Sequence, residues 1–534
     1  LFNASDAQSE VTDNHWVPTV HINNTDGLVI KDYIATATDP TARINGGQYA
    51  PAQGSVMAAF SSRGPDPVAT DIIKPDITAP GVNILAGASP TPYLGQSESP
   101  APGQLFQSIS GTSMSSPHIA GIFALIKQAH PDWSAAVAKS AIMTSARQDV
   151  FKEDGTTAAD PFDMGAGHVD PGEKVHKGSA FQPGLAYEAD FLDYLGFLCA
   201  ADPSTISPGF CLSLESIGVP TTAENLNYPS IGVSDVPGSI TVTRTVSSVA
   251  SERGWREYTP SIEAPAGFEV SVSPAKLRLK SGDSATFEVT ITNESAPIGE
   301  WRFGSLTWED KTGNYTVYSP IAARASLFSA SASVEGSGEN GSVSFDVTFG
   351  YTGEYAAAAH GLEPATVTTD NVVQDPDQEF DPTDGYSNRH DFNVSGAAYF
   401  KVAIPPEAVA SADIDLDVFV YDPAGDLVGT STNGGTDEVV EFLSPADGTW
   451  SVYVHGWQTV GASADYDMYT WIVSATPGGN MSVDSAPTSA TIGSTETIDL
   501  SWSGATDGQW HLGAVSHADG RGLLGLTLVD VDNR

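Results

Sequence analysis

A serine at position 113 lies in the segment of this chain that is best suited to covalent chemistry. Residues 108–118 read Ser-Ile-Ser-Gly-Thr-Ser-Met-Ser-Ser-Pro-His and lead into an apolar stretch at 119–129 whose pattern predicts a helix. A serine hydroxyl becomes an effective nucleophile when a base removes its proton and donors stabilise the oxyanion. The first N–H groups of a helix have no intrahelical acceptor and can be such donors. Ser113 is therefore a candidate nucleophile, and helix capping is the alternative role.

The residues around Ser113 suit either role. Gly111 permits a sharp backbone entry and a close approach of substrate. Pro117 is expected in the first helical turn, where a missing N–H costs little. His118 is not expected to be the base, because five residues along a helix place it about 140° around the axis from Ser113. The G-x-S-x-G nucleophile elbow is excluded, because residue 115 is serine.

Residues 111–121, Gly-Thr-Ser-Met-Ser-Ser-Pro-His-Ile-Ala-Gly, resemble the serine motif of the subtilases, whose nucleophile stands at the position of Ser113. Four other segments extend the similarity to the cucumisin-like, plant-type branch over roughly residues 15–325: 60–65, 74–85, 165–171 and 183–187. The resemblance implies a serine endopeptidase that cleaves peptide bonds through an acyl-enzyme on Ser113. The backbone N–H of Ser113 would be one oxyanion donor, and no cofactor would be required.

The other catalytic groups of that family have no counterpart in this sequence. In the plant-type branch the Asp motif, the His motif and the oxyanion Asn precede an inserted protease-associated domain, and residues 15–37 resemble its closing strands. Asp76 and Asn83 lie in segments that are structural in the family. We therefore expect an amino-terminally truncated chain that is inactive alone. Eight more histidines are not expected to be the base: His15, His21, His168, His360, His390, His455, His511 and His517.

Cys199 and Cys211 are the only cysteines. They lie twelve positions apart without a CxxC spacing or a neighbouring histidine cluster, so a zinc site is not expected. A local disulfide in an exported protein is the preferred interpretation, with two buried thiols as the alternative. The sequence begins at Leu1 with no initiator methionine and no signal peptide, so we expect it to start within a longer product.

The composition is strongly acidic, with 66 Asp and Glu against 23 Lys and Arg and a formal net charge of −43. Such a chain repels polyanions, which argues against nucleic acid and anionic membranes as partners. The acidic residues are distributed along the chain, as expected of a solubilised surface. No apolar run is long enough to span a membrane. The expected partners are protein or peptide substrates, and the sequence leaves the oligomeric state open.

Beyond about residue 226 the helical pattern gives way to alternating apolar segments separated by turn residues, a pattern typical of β-sandwiches. Residues 226–231, 307–308 and 318–321 resemble the fibronectin-type-III-like domain of plant-type subtilases. Residues 413–425 and 445–454 resemble a bacterial pre-peptidase carboxyl-terminal domain. This second resemblance suggests a bacterial, extracellular protein.

Two features of the later module have a functional and a structural interpretation. Asp415 and Asp417 alternate on one predicted strand, where carboxylates could hold structural Ca²⁺ or simply form a solvated face. Three tryptophans could bind a protein or glycan surface, although core packing is the expected role for most: Trp450, Trp457 and Trp471.

The predicted fold is the carboxyl-terminal part of an α/β subtilisin-like catalytic domain followed by several all-β modules. The expected boundaries are 1–50 for the end of the protease-associated domain and the return to the core, 51–225 for the catalytic part, 226–326 for the fibronectin-like domain, 327–389 for a β-rich segment and linker, 390–475 for the pre-peptidase-like sandwich and 476–534 for a small terminal module. The predicted function is that of a secreted serine endopeptidase. The competing hypothesis is a pseudoprotease or an adhesin built from β-modules.

Overall fold

The computed structural model describes residues 2–6, 17–47, 51–89, 103–172, 176–201, 206 and 208–534. It divides into two compact units, Leu1–Ser326 and Leu327–Arg534. The helices are α1 (Asn24–Thr36), α2 (Thr112–Ala129), α3 (Ala135–Thr144), α4 (Pro161–Met164), α5 (Phe191–Ala201) and α6 (Pro208–Ser216), with 3₁₀ turns at Ala223–Asn225 and Pro406–Ala408. No helix in these described parts is long and apolar enough to cross a membrane.

The described strands of the first unit form three sheets. They are β1 (Ile84–Gly87), β2 (Phe106–Ile109), β3 (Leu185–Tyr187), β4 (Ile231–Val236), β5 (Ser239–Ser248), β6 (Arg256–Glu263), β7 (Phe268–Ser273), β8 (Leu277–Leu279), β9 (Ser284–Asn293), β10 (Trp301–Asp310) and β11 (Thr316–Ala325). β1 pairs with β2, and the orders of the larger sheets are β3-β5-β9-β7 and β4-β11-β10-β6-β8. Alternating apolar residues of these two larger sheets enclose one sandwich core around Phe287 and Trp308.

The α/β part of the first unit is built around the contact between α2 and α3. Ile126 of α2 packs with Ala138 and Ile142 of α3. Ser134 caps α3, because its side chain accepts a hydrogen bond from the Val137 N–H, as its position before the apolar stretch predicts. The apolar side of α3 therefore fixes the position of α2, and α2 in turn carries Ser113.

Four local predictions differ from this structure. The stretch at 119–129 is apolar nearly all round and predicts a buried helix, yet α2 is largely exposed, with Ile126 its one buried residue among those described. Residues 24–36 form helix α1 instead of closing strands, since the Asn23 side chain caps its start. The sequence pattern predicts a strand at residues 56–60, and these residues contribute a single bridge from Val56 to Phe151. Pro117 is the sixth residue of α2, past the first turn.

The strands of the second unit are β12 (Phe328–Ala330), β13 (Ser333–Gly336), β14 (Gly341–Phe349), β15 (Gly353–Glu354), β16 (Ala356–Pro364), β17 (Thr366–Val373), β18 (Ser387–Val394), β19 (Ala397–Ile404), β20 (Asp415–Tyr421), β21 (Leu427–Ser431), β22 (Glu438–Leu443), β23 (Gly448–Gln458), β24 (Ser463–Ser474), β25 (Met481–Ser485), β26 (Ser489–Ala490), β27 (Thr495–Trp502), β28 (Trp510–Asp519) and β29 (Gly522–Asp532).

These strands build one sandwich inserted into another. The outer sandwich has the sheets β12-β14-β27-β25 and β13-β29-β28-β16, so residues 327–364 and 476–534 share both of its sheets. The inner sandwich has the sheets β17-β24-β19-β22 and β18-β23-β20-β21 and occupies residues 366–474. This arrangement differs from the predicted separation of 327–389 from 476–534, because long-range pairings such as β14 with β27 leave no local mark in the sequence.

Candidate active site

The segment before α2 is held by the loop at residues 79–83. The Gly111 N–H donates to the Gly81 carbonyl at 2.8 Å, and the Ser115 hydroxyl donates to the Ala79 carbonyl at 3.0 Å. A Cβ at Gly81 would lie 2.3 Å from the Ser115 Oγ and 2.9 Å from the Gly111 carbonyl oxygen. Gly81 therefore permits the close contact that fixes the backbone on both sides of Ser113.

Ser113 is the second residue of α2 and its side chain is exposed. Its N–H belongs to the first helical turn, where no carbonyl four residues earlier in the helix is available to it. The helix also has no N–H at Pro117 to donate to the Ser113 carbonyl, because proline lacks that group. The backbone of residue 113 is thus less engaged in helical bonding than an interior residue, and its N–H points to the positive end of the helix dipole.

Two histidines of the subtilase-like segments, His118 and His168, have partners other than Ser113. The His118 Nδ1 lies 2.8 Å from the Met114 carbonyl oxygen, and the ring is exposed. The His168 Nδ1 lies 2.9 Å from the Ser55 Oγ, and burial together with the Arg147 charge lowers the His168 pKa. His15 lies outside the described residues. Among the described residues, no hydrogen bond joins Ser113 to an imidazole.

Asp76 and Asn83 have structural roles in this geometry. The Asp76 carboxylate binds the ammonium groups of Lys74 and Lys139 at 3.0 and 2.9 Å and accepts a hydrogen bond from the Tyr228 hydroxyl at 2.7 Å. The Asn83 N–H donates to the Ser110 Oγ at 2.8 Å. These contacts join the loop that contains Asp76 and Asn83 to α3, to Tyr228 and to the segment before α2.

A cavity of 280 Å³ lies beside the start of α2. It is lined by Thr112 and Ser115 on the helix and by the loop at residues 78–82. The Ser55–His168 pair also lines it. Ser113 does not line this cavity, so the cavity is not the place where a scissile bond would meet the hydroxyl.

Cys199 on α5 and Cys211 on α6 form a disulfide, with 5.9 Å between their Cα atoms. The bond joins two adjacent helices near the end of the predicted catalytic part, before the strands β4–β11 of the fibronectin-like sandwich. This structure therefore contains the paired form of the two cysteines and places it away from α2 in the chain.

One of the two aspartates considered for calcium, Asp417, is paired with a histidine. The Asp417 carboxylate is 3.1 Å from the His455 Nδ1, so an imidazole occupies one of its oxygens. Within the part of the chain that is described, no group of three or more His, Cys, Asp or Glu side chains is arranged to hold a metal ion. Trp450 and Trp471 are buried in the second unit and are unavailable as binding aromatics, whereas Trp457 is half-buried.

Several hydrogen-bonded pairings of histidine have no signal in the sequence pattern. One is the half-buried pair of Ser55 with His168, and another is the buried His455 between Asp375 and Asp417. Both join residues at least 38 positions apart, so periodicity could not have revealed them. Asp417 lies opposite His455 on the neighbouring strand, so the two side chains share one face of the sheet.

Comparison with protein families divides the chain into three matched regions. Residues 8–167 match the subtilase family, residues 225–323 match a fibronectin type-III domain and residues 386–456 match the bacterial pre-peptidase C-terminal domain. The chain therefore contains a subtilase segment followed by β-sandwich modules, which confirms the predicted family resemblance and fold class.

Three curated plant proteins illustrate the similarity. Subtilisin-like protease SBT1.7 of Arabidopsis thaliana is 38% identical over 60% of this chain and 43% of its own length. The CO(2)-response secreted protease of Arabidopsis thaliana is 38% identical over 57% of this chain and 40% of its own. Subtilisin-like serine-protease S of Lotus japonicus is 40% identical over 57% and 40%. The chain thus spans less than half the length of these relatives.

Proposed function

We propose that this chain supplies the nucleophile-bearing part of an extracellular subtilisin-like serine endopeptidase, with Ser113 as the nucleophile. The observation that carries the proposal is the exposed hydroxyl of Ser113 at the start of a helix fixed by the loop at residues 79–83. The match of residues 8–167 to the subtilase family supports the reaction class.

In the proposed reaction the Ser113 Oγ attacks the peptide carbonyl carbon while a base outside this chain accepts its proton. The oxyanion of the tetrahedral intermediate accepts a hydrogen bond from the Ser113 N–H. The amine leaves after the base returns the proton, and water then hydrolyses the acyl-enzyme. The base, its orienting carboxylate and the second oxyanion donor belong to the part of the full-length protein that precedes the described Ser113 segment.

The exposed apolar side chains of the α/β part support the proposal that the catalytic domain is completed by another part of the full-length protein. Leu125 of α2 is 54% exposed, and Leu85 of β1 and Phe106 of β2 are 71% and 65% exposed. Such side chains in a short two-stranded sheet and a helix are normally covered by further elements of the same domain. We propose that the preceding half of the catalytic domain covers them in the full-length protein.

Three observations support an extracellular location. The structure contains the Cys199–Cys211 disulfide, a bond that persists in oxidising compartments. It has no helix suited to a membrane span among the described residues. One of the relatives is named a secreted protease. The bacterial origin suggested by the pre-peptidase-like segment stays a prediction.

The test compares two serine variants of the full-length protein. Ser113→Ala is expected to lower kcat by about 10⁶-fold, since loss of the nucleophile leaves only the residual effect of binding and oxyanion donors. Ser116→Ala, an exposed serine on the same helix, is the matched control and should retain activity. A fluorophosphonate should label the full-length wild type and not Ser113→Ala.

Two results would contradict the proposal. Undiminished hydrolysis by full-length Ser113→Ala would exclude Ser113 as the nucleophile. Absence of fluorophosphonate labelling in the full-length wild type would favour the alternative of a pseudoprotease or adhesin.

A further inference from the structure

His455 lies buried between two carboxylates in the inner sandwich of the second unit. Its Nε2 is 2.7 Å from the Asp375 Oδ2, and its Nδ1 is 3.1 Å from the Asp417 Oδ2. The three residues are 1%, 1% and 7% exposed. Because ionised carboxylates only accept hydrogen bonds, both ring nitrogens of His455 must donate, which requires the imidazolium form.

The two carboxylates come from different parts of the module. Asp417 lies on β20 directly opposite His455 on β23. Asp375 lies on the segment at residues 374–386, which connects β17 to β18 and which we call the strap. The Asp375 N–H also donates to the Gly456 carbonyl at 2.9 Å. The charged cluster therefore joins the strap to the sheet β18-β23-β20-β21.

The strap has a second, aromatic attachment to the same sheet. The ring of Phe380 stacks on Phe419, with centroids 3.7 Å apart, and meets the rings of Tyr453 and His455 at steep angles. Residues of β20 and β23 alternate between the core and this outer face, since Val418 and Val454 are buried in the core. The strap thus covers a row of aromatic side chains that would otherwise face solvent.

The surroundings of His455 are predominantly acidic. Its neighbouring titratable and charged groups come from five elements: Asp375 and Asp377 on the strap, Asp415 and Asp417 on β20, Glu438 on β22, Tyr453 on β23 itself and Arg389 on β18.

Two of these carboxylates, Glu438 and Asp415, form no ion pair with a described basic side chain. The Glu438 Oε2 and the Asp415 Oδ1 are buried without a hydrogen-bond partner. Burial, followed by the negative charges of Asp417 and Asp415, raises the pKa of Glu438 to about 7. Glu438 therefore gives up its proton near neutral pH, at which point negative charge around the cluster increases.

We propose that Asp375, His455 and Asp417 form a pH-dependent latch that holds the strap over the aromatic face of the inner sandwich and releases it when His455 loses its proton. A neutral imidazole has only one N–H, so one carboxylate must then lose its hydrogen bond while it stays buried. The buried charge becomes uncompensated, which favours exposure of the strap to water.

The sign of the pH dependence follows from the direction of each shift. Although burial opposes it, hydrogen bonds and attraction from Asp417 and Asp375 raise the His455 pKa above 6.5. Its contribution to strap stability is complete below pH 6.5 and is lost as the pH rises through the raised value. The pKa of Asp375 is lowered below 3.8 despite burial, by its bonds to His455 and Asp377. Its contribution is present above pH 3.8 and is lost in stronger acid.

The experiment is hydrogen exchange of the intact chain followed by mass spectrometry between pH 5.5 and 9.5, with rates corrected for intrinsic base catalysis. Protection of the strap amides should fall with rising pH, by about tenfold for each unit by which the carboxylates raise the His455 pKa. Core amides of β20 and β23 in the same sample should stay protected, which reports that the sandwich remains folded.

Variants separate the latch from general destabilisation. His455→Gln should lower strap protection at pH 5.5 and remove its pH dependence. Asp375→Asn changes only the strap and should move the release midpoint to lower pH by about one unit or more, because one attractive charge is removed. His390→Gln on β18 is the matched control, since His390 is half-buried and contacts the Tyr466 hydroxyl instead of the strap.

The outcomes are exclusive. The latch is supported when the wild type and His390→Gln release the strap over the same alkaline range and Asp375→Asn releases it earlier. It is overturned when wild-type strap protection is constant from pH 5.5 to 9.5. It is also overturned when Asp375→Asn keeps the wild-type midpoint, and this variant decides the matter even if His455→Gln fails to fold.

Discussion

The α/β part of the first unit and the inner sandwich of the second unit differ in how far they bury their apolar side chains. Helix α2 is apolar on most of its surface, yet among its described residues only Ile126 is buried. The strands of the inner sandwich enclose fully buried residues such as Phe400, Val402 and Val452. The core around these residues is formed within residues 366–474, and other residues of the sandwich such as Trp471 pack against the outer sandwich. Helix α2, in contrast, lacks comparable cover within the described chain. An apolar pattern therefore shows that a segment needs a packing partner. It does not show whether that partner is present.

The largest expected effect comes from a substitution in the core of the inner sandwich, the better packed of the two regions. Phe400 is fully buried and its ring lies near Phe392, Phe442 and Trp450. Phe400→Ala should destabilise the inner sandwich by about 3–5 kcal/mol, because the removed ring leaves a cavity. The measurement is urea unfolding of the intact chain followed by hydrogen exchange in residues 366–474.

Leu125→Ala in α2 is the matched substitution in the open region. Leu125 is 54% exposed, so the free energy of unfolding of this chain should change by less than about 0.5 kcal/mol. In the full-length protein, Leu125→Ala should lower the free energy of unfolding by several times more if further elements cover α2. Equal losses for Leu125→Ala in both contexts would contradict the proposed covering.

The second prediction concerns a polar attachment in the first unit. The Arg244 guanidinium is buried and donates to the carbonyls of Tyr228, Glu224, Thr243 and Ser230, and burial lowers its pKa to about 10. Arg244→Met should cost about 3 kcal/mol, because buried carbonyl oxygens lose their donors.

Calorimetry of the intact chain measures the effect of Arg244→Met as a shift of the first unit's transition. Arg302→Met is the control, since Arg302 pairs with the exposed Glu300 on the surface. An exposed pair of this kind should contribute under about 1 kcal/mol. Equal losses for the two arginine variants would show that burial of Arg244 is unimportant.

The sequence predicted those parts of the fold that depend on local pattern. The alternating apolar segments beyond residue 226 depend only on neighbouring residues, and strands such as β5, β7 and β9 are present there. The Ser134 cap of α3 is equally local. The insertion of one sandwich into another depends on pairings such as β14 with β27, which lie about 150 residues apart. The position of Ser113 came from a motif, whereas the exposure of α2 depends on what covers it.

Two buried histidines of the second unit, His517 and His455, have pKa values that are shifted in opposite directions. Burial lowers the pKa of His517 to about 4, and its ring lies 2.6 Å from the Tyr355 hydroxyl. A histidine of the unfolded chain titrates near 6.5, so the unfolded state binds the proton first as the pH falls. The outer sandwich should lose about 3 kcal/mol between pH 6.5 and 4 from this residue.

His517→Gln should reduce this acid sensitivity while leaving the alkaline release of the strap unchanged. His455→Gln should do the reverse, because the His455 pKa is raised. Thermal unfolding at pH 4.5, 6.5 and 8.5 separates the two effects. If both variants remove the pH dependence of stability on the same side, acid or alkaline, then the pKa values of His517 and His455 are not shifted in opposite directions.

The smallest expected effect follows from the uneven charge of the two units. Only four of the 23 Lys and Arg residues lie beyond residue 327, namely Arg389, Lys401, Arg521 and Arg534, whereas 31 of the 66 Asp and Glu residues do. Repulsion within the second unit is therefore less compensated. Raising NaCl from 0.1 to 1 M shortens the screening length from about 10 to 3 Å and should stabilise the second unit by about 1 kcal/mol.

For a unit of this size a gain of about 1 kcal/mol corresponds to roughly 2–4 °C in Tm. The first unit, which holds the remaining Lys and Arg, should shift less under the same conditions, and calorimetry of the intact chain resolves the two transitions. Sucrose is the control, because an excluded osmolyte strengthens burial without screening charge and should raise both transitions. Equal responses to NaCl and sucrose would mean that charge does not distinguish the units, and that their difference lies in packing alone.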